Sequence, residues 1–258
     1  MTALFETMLV HDGRVVLAEE HLARLTRSAA ALGLALPDGK EFHRLVEDIR
    51  SAGFQPAGPP ASSRPVSPSP AGSQRTGRLE AGAPFAIRCV YDGTTLTAEA
   101  RPIPPRTLSR RERGRAITLD SSLARTLPEH KLVEHYAVCE RALEQAFDAD
   151  ADEALFLTHN GRVLEGTTTN VFAVNANALV TAPENVLPGI TRAWVLEQAA
   201  LLDIDVELRA PTLSELRDGA FLTGSLTTLA PLRLLNGEEC RAPGAIFDAL
   251  AERWSTLP

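Results

Sequence analysis

The chain has 258 residues, 44% of them hydrophobic, and a formal net charge of −7 at pH 7. This length supports one large domain or two modest domains with separate cores, and the acidic balance argues against a nucleic-acid partner. No apolar run is long enough to span a bilayer. The six histidines do not cluster at metal-ligand spacing, so no metal site is expected. The three widely spaced cysteines indicate reduced thiols in a cytoplasmic protein.

The first hundred residues combine hairpin signals with amphipathic helical patterns. Two apolar-rich runs that flank residues 11–13 predict a β-hairpin, and a second hairpin is predicted around the turn at residues 92–93. Helices are predicted at about residues 19–32 and 41–52, where apolar residues recur at helical spacing. Residues 55–83 are rich in Pro, Ser, Gly and Ala, which predicts a disordered insertion.

The rest of the chain predicts a second mixed region. Residues 101–115 predict a crossing linker whose basic cluster, Arg110–Arg115, is solvated. Further helices are predicted at about 131–147, after Pro188 and at 244–254, with short strands between them. The pattern predicts an α/β (mixed α+β) fold with mostly hairpin-connected strands, in a small N-terminal domain (1–105) and a larger C-terminal domain (106–258).

Lysine is almost absent from this sequence. Of the 26 basic residues, only Lys40 and Lys131 are lysines, so a retained lysine raises the question of whether an amine is needed there. Lys40 lies in a turn-like segment and is best explained by chance. Lys131 is predicted at a helix start, where the helix dipole and burial would favour the neutral amine that attacks an aldehyde. An exposed surface lysine is the alternative.

Three further segments carry polar groups suited to a cofactor. VLEGTTTNVFAV holds Glu165, which could keep a pyridine nitrogen protonated or could simply cap a turn. LPGITR opens a helix whose first N–H groups, with the Thr191 hydroxyl, could bind an anion. GSLTT, at residues 224–228, is a second hydroxyl-rich turn. Each segment alone is more often structural, but together they indicate a cofactor site.

In this order, the motifs resemble the class IV aminotransferases, also called fold-type IV pyridoxal-phosphate (PLP) enzymes. The resemblance extends from FET at Phe5 almost to the C-terminus, and EGTTTNVF with LPGITR is its most specific part. It implies a two-domain fold of mostly antiparallel sheets with flanking helices, PLP as the cofactor, a homodimer and an active site between the domains. It also implies the roles of seven residues: Lys131 as the catalytic Schiff-base lysine, Glu165 at the pyridine nitrogen, Tyr136 at the phenolic oxygen, and Arg24, Ile190, Thr191 and Ser225 at the phosphate.

The reaction remains open between a lyase and two alternatives to it. The FET segment and GSLTTLAPL are most similar to aminodeoxychorismate lyase, which converts 4-amino-4-deoxychorismate to 4-aminobenzoate and pyruvate. The first alternative is a transaminase that acts on a small or branched-chain amino acid and a 2-keto acid. The second is a non-catalytic PLP-binding homologue, favoured by a start close to FET. The RxH pattern of the D-amino-acid aminotransferases is absent, and Glu134 stands where the family often has Asn.

Overall fold

The computed structural model describes residues 2–53, 83–120 and 125–257, so the predicted insertion lies almost entirely outside the described residues. The described residues form the mixed α/β fold that the sequence predicts. Helices α1–α7 span Ala18–Ala31, Gly39–Ala52, Pro105–Arg113, Tyr136–Asp148, Ile190–Leu201, Leu213–Asp218 and Gly244–Ser255. Strands β1–β14 span Leu4–His11, Arg14–Val15, Phe85–Tyr91, Leu96–Arg101, Arg115–Leu119, Glu153–Leu157, Val163–Gly166, Asn170–Asn175, Ala178–Thr181, Asp205–Leu208, Ala220–Gly224, Thr228–Pro231, Leu234–Leu235 and Glu238–Glu239.

The smaller sheet has the strand order β2-β1-β3-β4 and is antiparallel throughout. Both predicted hairpins are confirmed, because β1 pairs with β2 and β3 pairs with β4. Helices α1 and α2 contribute Leu25 and Phe42 to the same core cluster as Met8 and Ile87 of the sheet. Burying each such side chain stabilises the fold by roughly 1.5–3 kcal/mol.

The larger sheet follows the order β10-β9-β8-β7-β6-β5-β13-β14, and β11 pairs with both β8 and β12. Most of its pairs are antiparallel, as the resemblance implies, but β5–β6, β5–β13 and β9–β10 are parallel. On one face, the rings of Phe172 and Phe221 stack with their centroids 5.2 Å apart. No helix in residues 2–53, 83–120 or 125–257 has the length and apolar character that a membrane span requires.

The two sheets draw on separate parts of the chain. Strands of the smaller sheet lie within Leu4–Arg101 and those of the larger sheet within Arg115–Glu239. This separation is compatible with domains at 1–105 and 106–258, and that division remains a prediction. Backbone and side-chain contacts join the parts: Leu4 of β1 forms an isolated β-bridge with Leu132, and Arg24 of α1 donates a hydrogen bond to the carbonyl oxygen of Pro188.

Two sequence-based expectations are wrong. Residues 101–115 are not a crossing linker with a solvated basic cluster, since Pro105 opens helix α3 and Arg110 is only 1% exposed. Arg110 is buried because Glu153 and the carbonyl oxygen of Asp152 compensate its charge. The helix predicted from Lys131 begins instead at Tyr136, after a 3-10 turn at Val133–His135.

Candidate active site

A cavity of about 330 Å³ has walls from both parts of the chain. Six of the seven residues assigned by resemblance line it: Arg24, Lys131, Tyr136, Glu165, Ile190 and Ser225. Thr191, the seventh, is 1% exposed, and its hydroxyl has no hydrogen-bond partner in the described part of the chain. A concave site with convergent polar groups has the character of a ligand pocket.

Lys131 is held by backbone pairing rather than by a helix. The carbonyl oxygen of Lys131 accepts a hydrogen bond of 3.0 Å from the backbone N–H of Phe5, and its Nζ lies 4.5 Å from the centroid of the Phe5 ring. Burial, with the nearby charge of Arg24, lowers the pKa of Lys131 to about 8. The low pKa therefore arises from desolvation and a like charge, and not from the helix start that the sequence predicted.

Glu165 lies in β7, and three donors converge on its carboxylate. Its Oε2 accepts hydrogen bonds from the backbone N–H of Leu187 at 2.9 Å and from Asn170 Nδ2 at 3.4 Å. The other oxygen accepts a hydrogen bond from Arg125, whose side chain is 6% exposed. Burial raises the pKa of Glu165, while the Arg125 charge and these hydrogen bonds oppose that rise. The site can therefore hold Glu165 as a carboxylate, because Arg125 compensates the charge at one of its two oxygens.

Glu6 holds the side chain of Arg24 in position in the cavity wall. The Nε and Nη2 atoms of Arg24 donate to the two Glu6 carboxylate oxygens at 2.8 and 2.6 Å. Its Nη1 donates to the carbonyl oxygen of Pro188 at 3.2 Å. His21 also contacts Glu6, at 2.7 Å, and reaches Ser225 Oγ at 3.2 Å. A bidentate arginine of this kind offers a rigid cation to an anion.

The LPGITR and GSLTT segments meet beside Arg24. Helix α5 begins at Ile190, and a side chain on the preceding Gly189 would collide with Asn170 Oδ1. The N–H groups of a helix start attract anions. The buried hydroxyls of Thr191 and Thr223 have no hydrogen-bond partner among the described residues. Buried unsatisfied hydroxyls are costly, so both fit a site that an anionic ligand completes.

Tyr136 belongs to an aromatic clamp around an arginine. The guanidinium carbon of Arg88 lies 4.1 Å from the Phe5 centroid and 4.5 Å from the Tyr136 centroid. Arg88 is 6% exposed and lines the cavity, yet its side chain forms no hydrogen bond or ion pair within the described residues. Burial, with the charge of Arg101, lowers the pKa of Arg88 to about 10, and the charge of Glu99 on the adjacent strand opposes that shift without forming an ion pair with Arg88. A buried cation without a counter-ion favours an anionic ligand.

A second ionic network contacts the three consecutive threonines at residues 167–169. Arg110 Nη1 donates to the hydroxyls of Thr168 and Thr227 at 2.9 Å, and its Nη2 lies 3.3 Å from Glu153 Oε2. Glu153 is completely buried and accepts hydrogen bonds from the hydroxyls of Thr167 and, at 2.9 Å, Thr169. This network orders the polar residues of EGTTTN.

Sequence reasoning did not find five of these residues: Glu6, His21, Arg88, Arg125 and Glu153. A signal was available for Arg88, because an arginine inside the apolar run FAIRCVY needs a reason to be buried. Glu6 stands in the FET motif and His21 three residues before Arg24, but the pairing of Glu6 with His21 depends on how α1 packs on β1.

Comparison with known proteins agrees with this geometry. The amino-transferase class IV family matches residues 3–64 and 70–235. A bifunctional aminodeoxychorismate lyase / D-amino acid transaminase of Mycobacterium tuberculosis is 30% identical over 91% of this chain and 82% of its own length. A candidate branched-chain-amino-acid aminotransferase of Methanocaldococcus jannaschii is 31% identical over 98% and 86%. The PLP-bound structure of a hypothetical aminotransferase from M. tuberculosis superposes with a TM-score of 0.76, at 28% identity, over 98% of this chain and 87% of its own. The chain belongs to the class IV aminotransferase family.

Proposed function

We propose that this protein is a PLP-dependent enzyme and that Lys131 is the residue that holds the cofactor covalently. The phosphate would be held by Arg24, the hydroxyl of Ser225 and the helix start at Ile190–Thr191, where the unpaired Thr191 hydroxyl supplies a donor. When bound, PLP supplies a conjugated ring that accepts electrons from the carbon next to the substrate amine. The M. tuberculosis structure of this fold is a PLP-bound form, which supports the same cofactor here.

The side chains of this protein would divide the proton chemistry between them. Glu165 would keep the pyridine nitrogen protonated, because its carboxylate lies in the cavity wall and is held by Leu187 and Arg125. Lys131, with a pKa of about 8, is neutral often enough near neutral pH to accept a proton from the amine-bearing carbon. Tyr136, which packs against Phe5 in the cavity wall, would face the phenolic oxygen.

The reaction that we propose is that of aminodeoxychorismate lyase. Lys131 removes the proton on the amine-bearing ring carbon of 4-amino-4-deoxychorismate, and the carbon–oxygen bond to the enolpyruvyl group breaks. The products are 4-aminobenzoate, a precursor in folate biosynthesis, and pyruvate, so that no atom is gained or lost overall. The M. tuberculosis relative that carries this activity in its name supports the assignment.

The unpaired guanidinium of Arg88 is the observation that carries this proposal. It is buried between two aromatic rings on the wall that Lys131 shares, where it would bind a substrate carboxylate. Arg101 and Arg106 also line the cavity and are exposed. Such a cationic lining suits aminodeoxychorismate, which bears two carboxylates, better than a small monocarboxylate amino acid.

A transaminase is the second candidate. The relative from M. jannaschii and the second activity in the name of the M. tuberculosis relative support it. The same Arg88 would bind the distal carboxylate of a dicarboxylate amino acid or 2-keto acid. In that reaction, Lys131 would move the proton from the α-carbon to the cofactor, and water would release the keto acid.

One experiment separates the candidates. The PLP-loaded protein is mixed with 4-amino-4-deoxychorismate, while 4-aminobenzoate fluorescence and pyruvate are recorded together. Equal amounts of both products support the lyase. If neither forms, but L- or D-amino acids without a keto acid bleach the cofactor absorbance band, the protein is a transaminase. If PLP gives no visible band with the protein, Lys131 does not hold it and the enzyme assignment fails.

The proposed family assignment also leads us to propose an assembly state and a cellular location for the protein. We propose a homodimer in the cytoplasm, with the cavity close to the subunit interface. The three cysteines form no disulfide bond with one another in the structure, which agrees with a reducing compartment. Sedimentation equilibrium of the PLP-loaded protein measures the assembly state, and a monomeric mass would contradict the dimer.

A further inference from the structure

A chain of hydrogen-bonded side chains joins two walls of the cavity. It begins at Arg24 on α1, passes through the carboxylate of Glu6 on β1 and the imidazole of His21 on α1, and ends at Ser225 beyond β11. Only its two ends, Arg24 and Ser225, line the cavity. The two middle residues, Glu6 and His21, are each 1% exposed and do not line the cavity.

Glu6 is the shared anion of this chain. Burial favours its protonated form, but the charges of Arg24 and His21 overcome that effect and hold the pKa of Glu6 well below its usual range. An ionised carboxylate only accepts hydrogen bonds. His21 Nδ1, which lies 2.7 Å from Glu6 Oε2, must therefore carry a hydrogen.

The remaining nitrogen of His21 has two possible states. In the neutral ring, Nε2 accepts a hydrogen bond from the Ser225 hydroxyl, which leaves only lone pairs of Ser225 facing the cavity. In the imidazolium, Nε2–H donates to Ser225 Oγ, and the hydroxyl hydrogen is free to turn towards an anion. A hydroxyl can stabilise a phosphate oxygen only as a donor, so the second state is the one that suits a bound phosphate.

Without an anion, the neutral state is favoured. Burial lowers the pKa of His21, Glu6 opposes that shift, and the charges of Arg24 and Lys131 add to it. The charged groups that face His21 are thus Glu6 from β1, Arg24 from its own helix and Lys131 from the segment before α4. Cys89 of β3 lies beside Glu6, and burial together with the Glu6 charge raises the pKa of its thiol to about 12, so it remains neutral.

We propose that Glu6 and His21 are positioning residues for the cofactor phosphate, and that His21 takes up one proton from solvent when the phosphate binds. The new N–H bond forms at Nε2, Ser225 rotates its hydroxyl hydrogen to the phosphate, and Glu6 compensates the imidazolium. Phosphate charge on one side and Glu6 on the other then balance the two cations, Arg24 and His21. The inference rests on the phosphate site of the proposed function.

The test measures proton uptake rather than turnover. Pyridoxamine 5′-phosphate, which has no aldehyde and cannot attach to Lys131, is titrated into the PLP-free protein by calorimetry. Titrations in two buffers of different ionisation enthalpy give the number of protons bound. We expect the wild type to bind about one proton more than His21→Gln, whose amide can donate to Glu6 but cannot take up a proton.

Two further variants and a control make the result decisive. Ser225→Ala removes the group that requires the proton and leaves the buried Glu6–His21 contact in place, so its proton uptake should also fall. Glu6→Gln should weaken pyridoxamine phosphate binding about tenfold or more, because Arg24 loses its charged partner. His11→Gln, at a side chain that is 60% exposed, should match the wild type.

The outcomes separate the inference from the proposed function. Equal proton uptake by the wild type, His21→Gln and Ser225→Ala overturns the inference, even if all three bind the ligand tightly. If His21→Gln fails to fold, as judged by circular dichroism, Ser225→Ala alone decides. Wild-type protein that does not bind pyridoxamine phosphate at all contradicts the proposed cofactor site itself.

Discussion

Two buried ionic networks flank the cavity, and they differ in whether the arginine of the network also lines the cavity. In the first, Glu6 holds Arg24, and Arg24 still lines the cavity. In the second, Arg110 is saturated by Asp152, Glu153 and two threonine hydroxyls, and it does not line the cavity. The first network presents a cation to the cavity, whereas the second orders the segment that carries the threonines. Similar ion pairs can therefore serve binding in one place and architecture in another.

The largest effect should come from Lys131, which belongs to neither network. Lys131→Ala should lower turnover by roughly 10⁴-fold or more, because the variant lacks both the proposed covalent attachment and the proposed proton carrier. Turnover is measured with whichever of the two proposed substrates, 4-amino-4-deoxychorismate or an amino acid, the protein converts. Lys40→Ala changes the only other lysine, which is exposed, and should leave turnover unchanged. A Lys131→Ala variant with wild-type turnover would remove the basis of the assignment.

Disrupting the second network, which joins Arg110 and Glu153, should lower the stability of the protein. Glu153→Gln leaves the buried Arg110 without a counter-ion and should lower the free energy of unfolding by about 3–5 kcal/mol. Urea titration of the PLP-free protein measures this loss. Glu144→Gln removes one charge from the exposed face of α4 and should change stability by less than about 0.5 kcal/mol. If both variants lose the same stability, the Arg110–Glu153 pair has no architectural role.

Arg88 differs from both networks, since it is buried and forms no ion pair with any residue that the structure describes. Arg88→Met should raise the KM for the carboxylate-bearing substrate by about 30-fold, corresponding to roughly 2 kcal/mol of lost binding. Stability should hold or increase, because an uncompensated buried charge is removed. Arg27→Met, at an exposed arginine of α1, is the matched control for steady-state kinetics and thermal melting. An unchanged KM would place the substrate carboxylate elsewhere.

Sequence patterns predict the elements of this fold better than they predict its buried charges. Both hairpins of the smaller sheet follow from local turn signals and alternating apolar residues, which need no tertiary information. Helix α3 was missed because its buried arginine resembles a surface cation until Glu153, 43 residues later, is brought beside it. Its stabilising partner is remote in sequence, so no local pattern could indicate it.

The residues of the candidate site can also be divided into those that sequence motifs indicate and those whose positions depend on distant contacts. Lys131 and Glu165 were accessible to sequence analysis, because they stand in motifs or are rare residue types. The position of Lys131 before the helix was not, since it is set by the pairing of Leu132 with Leu4 in a distant strand. The Arg125–Glu165 contact likewise joins residues 40 positions apart.

The pH dependence of cofactor attachment tests how the cavity cations act on one another. Burial and the Arg24 charge lower the pKa of Lys131 to about 8 from 10.5. Only the neutral amine attacks the PLP aldehyde, so the attachment rate should rise with pH up to about 8 and level off above it. At pH 7 the rate should be about tenfold below the plateau. Stopped-flow absorbance after mixing PLP with PLP-free protein measures the profile. A rate that still rises in proportion to hydroxide beyond about pH 9 would mean that Lys131 is solvated and that neither burial nor Arg24 lowers its pKa.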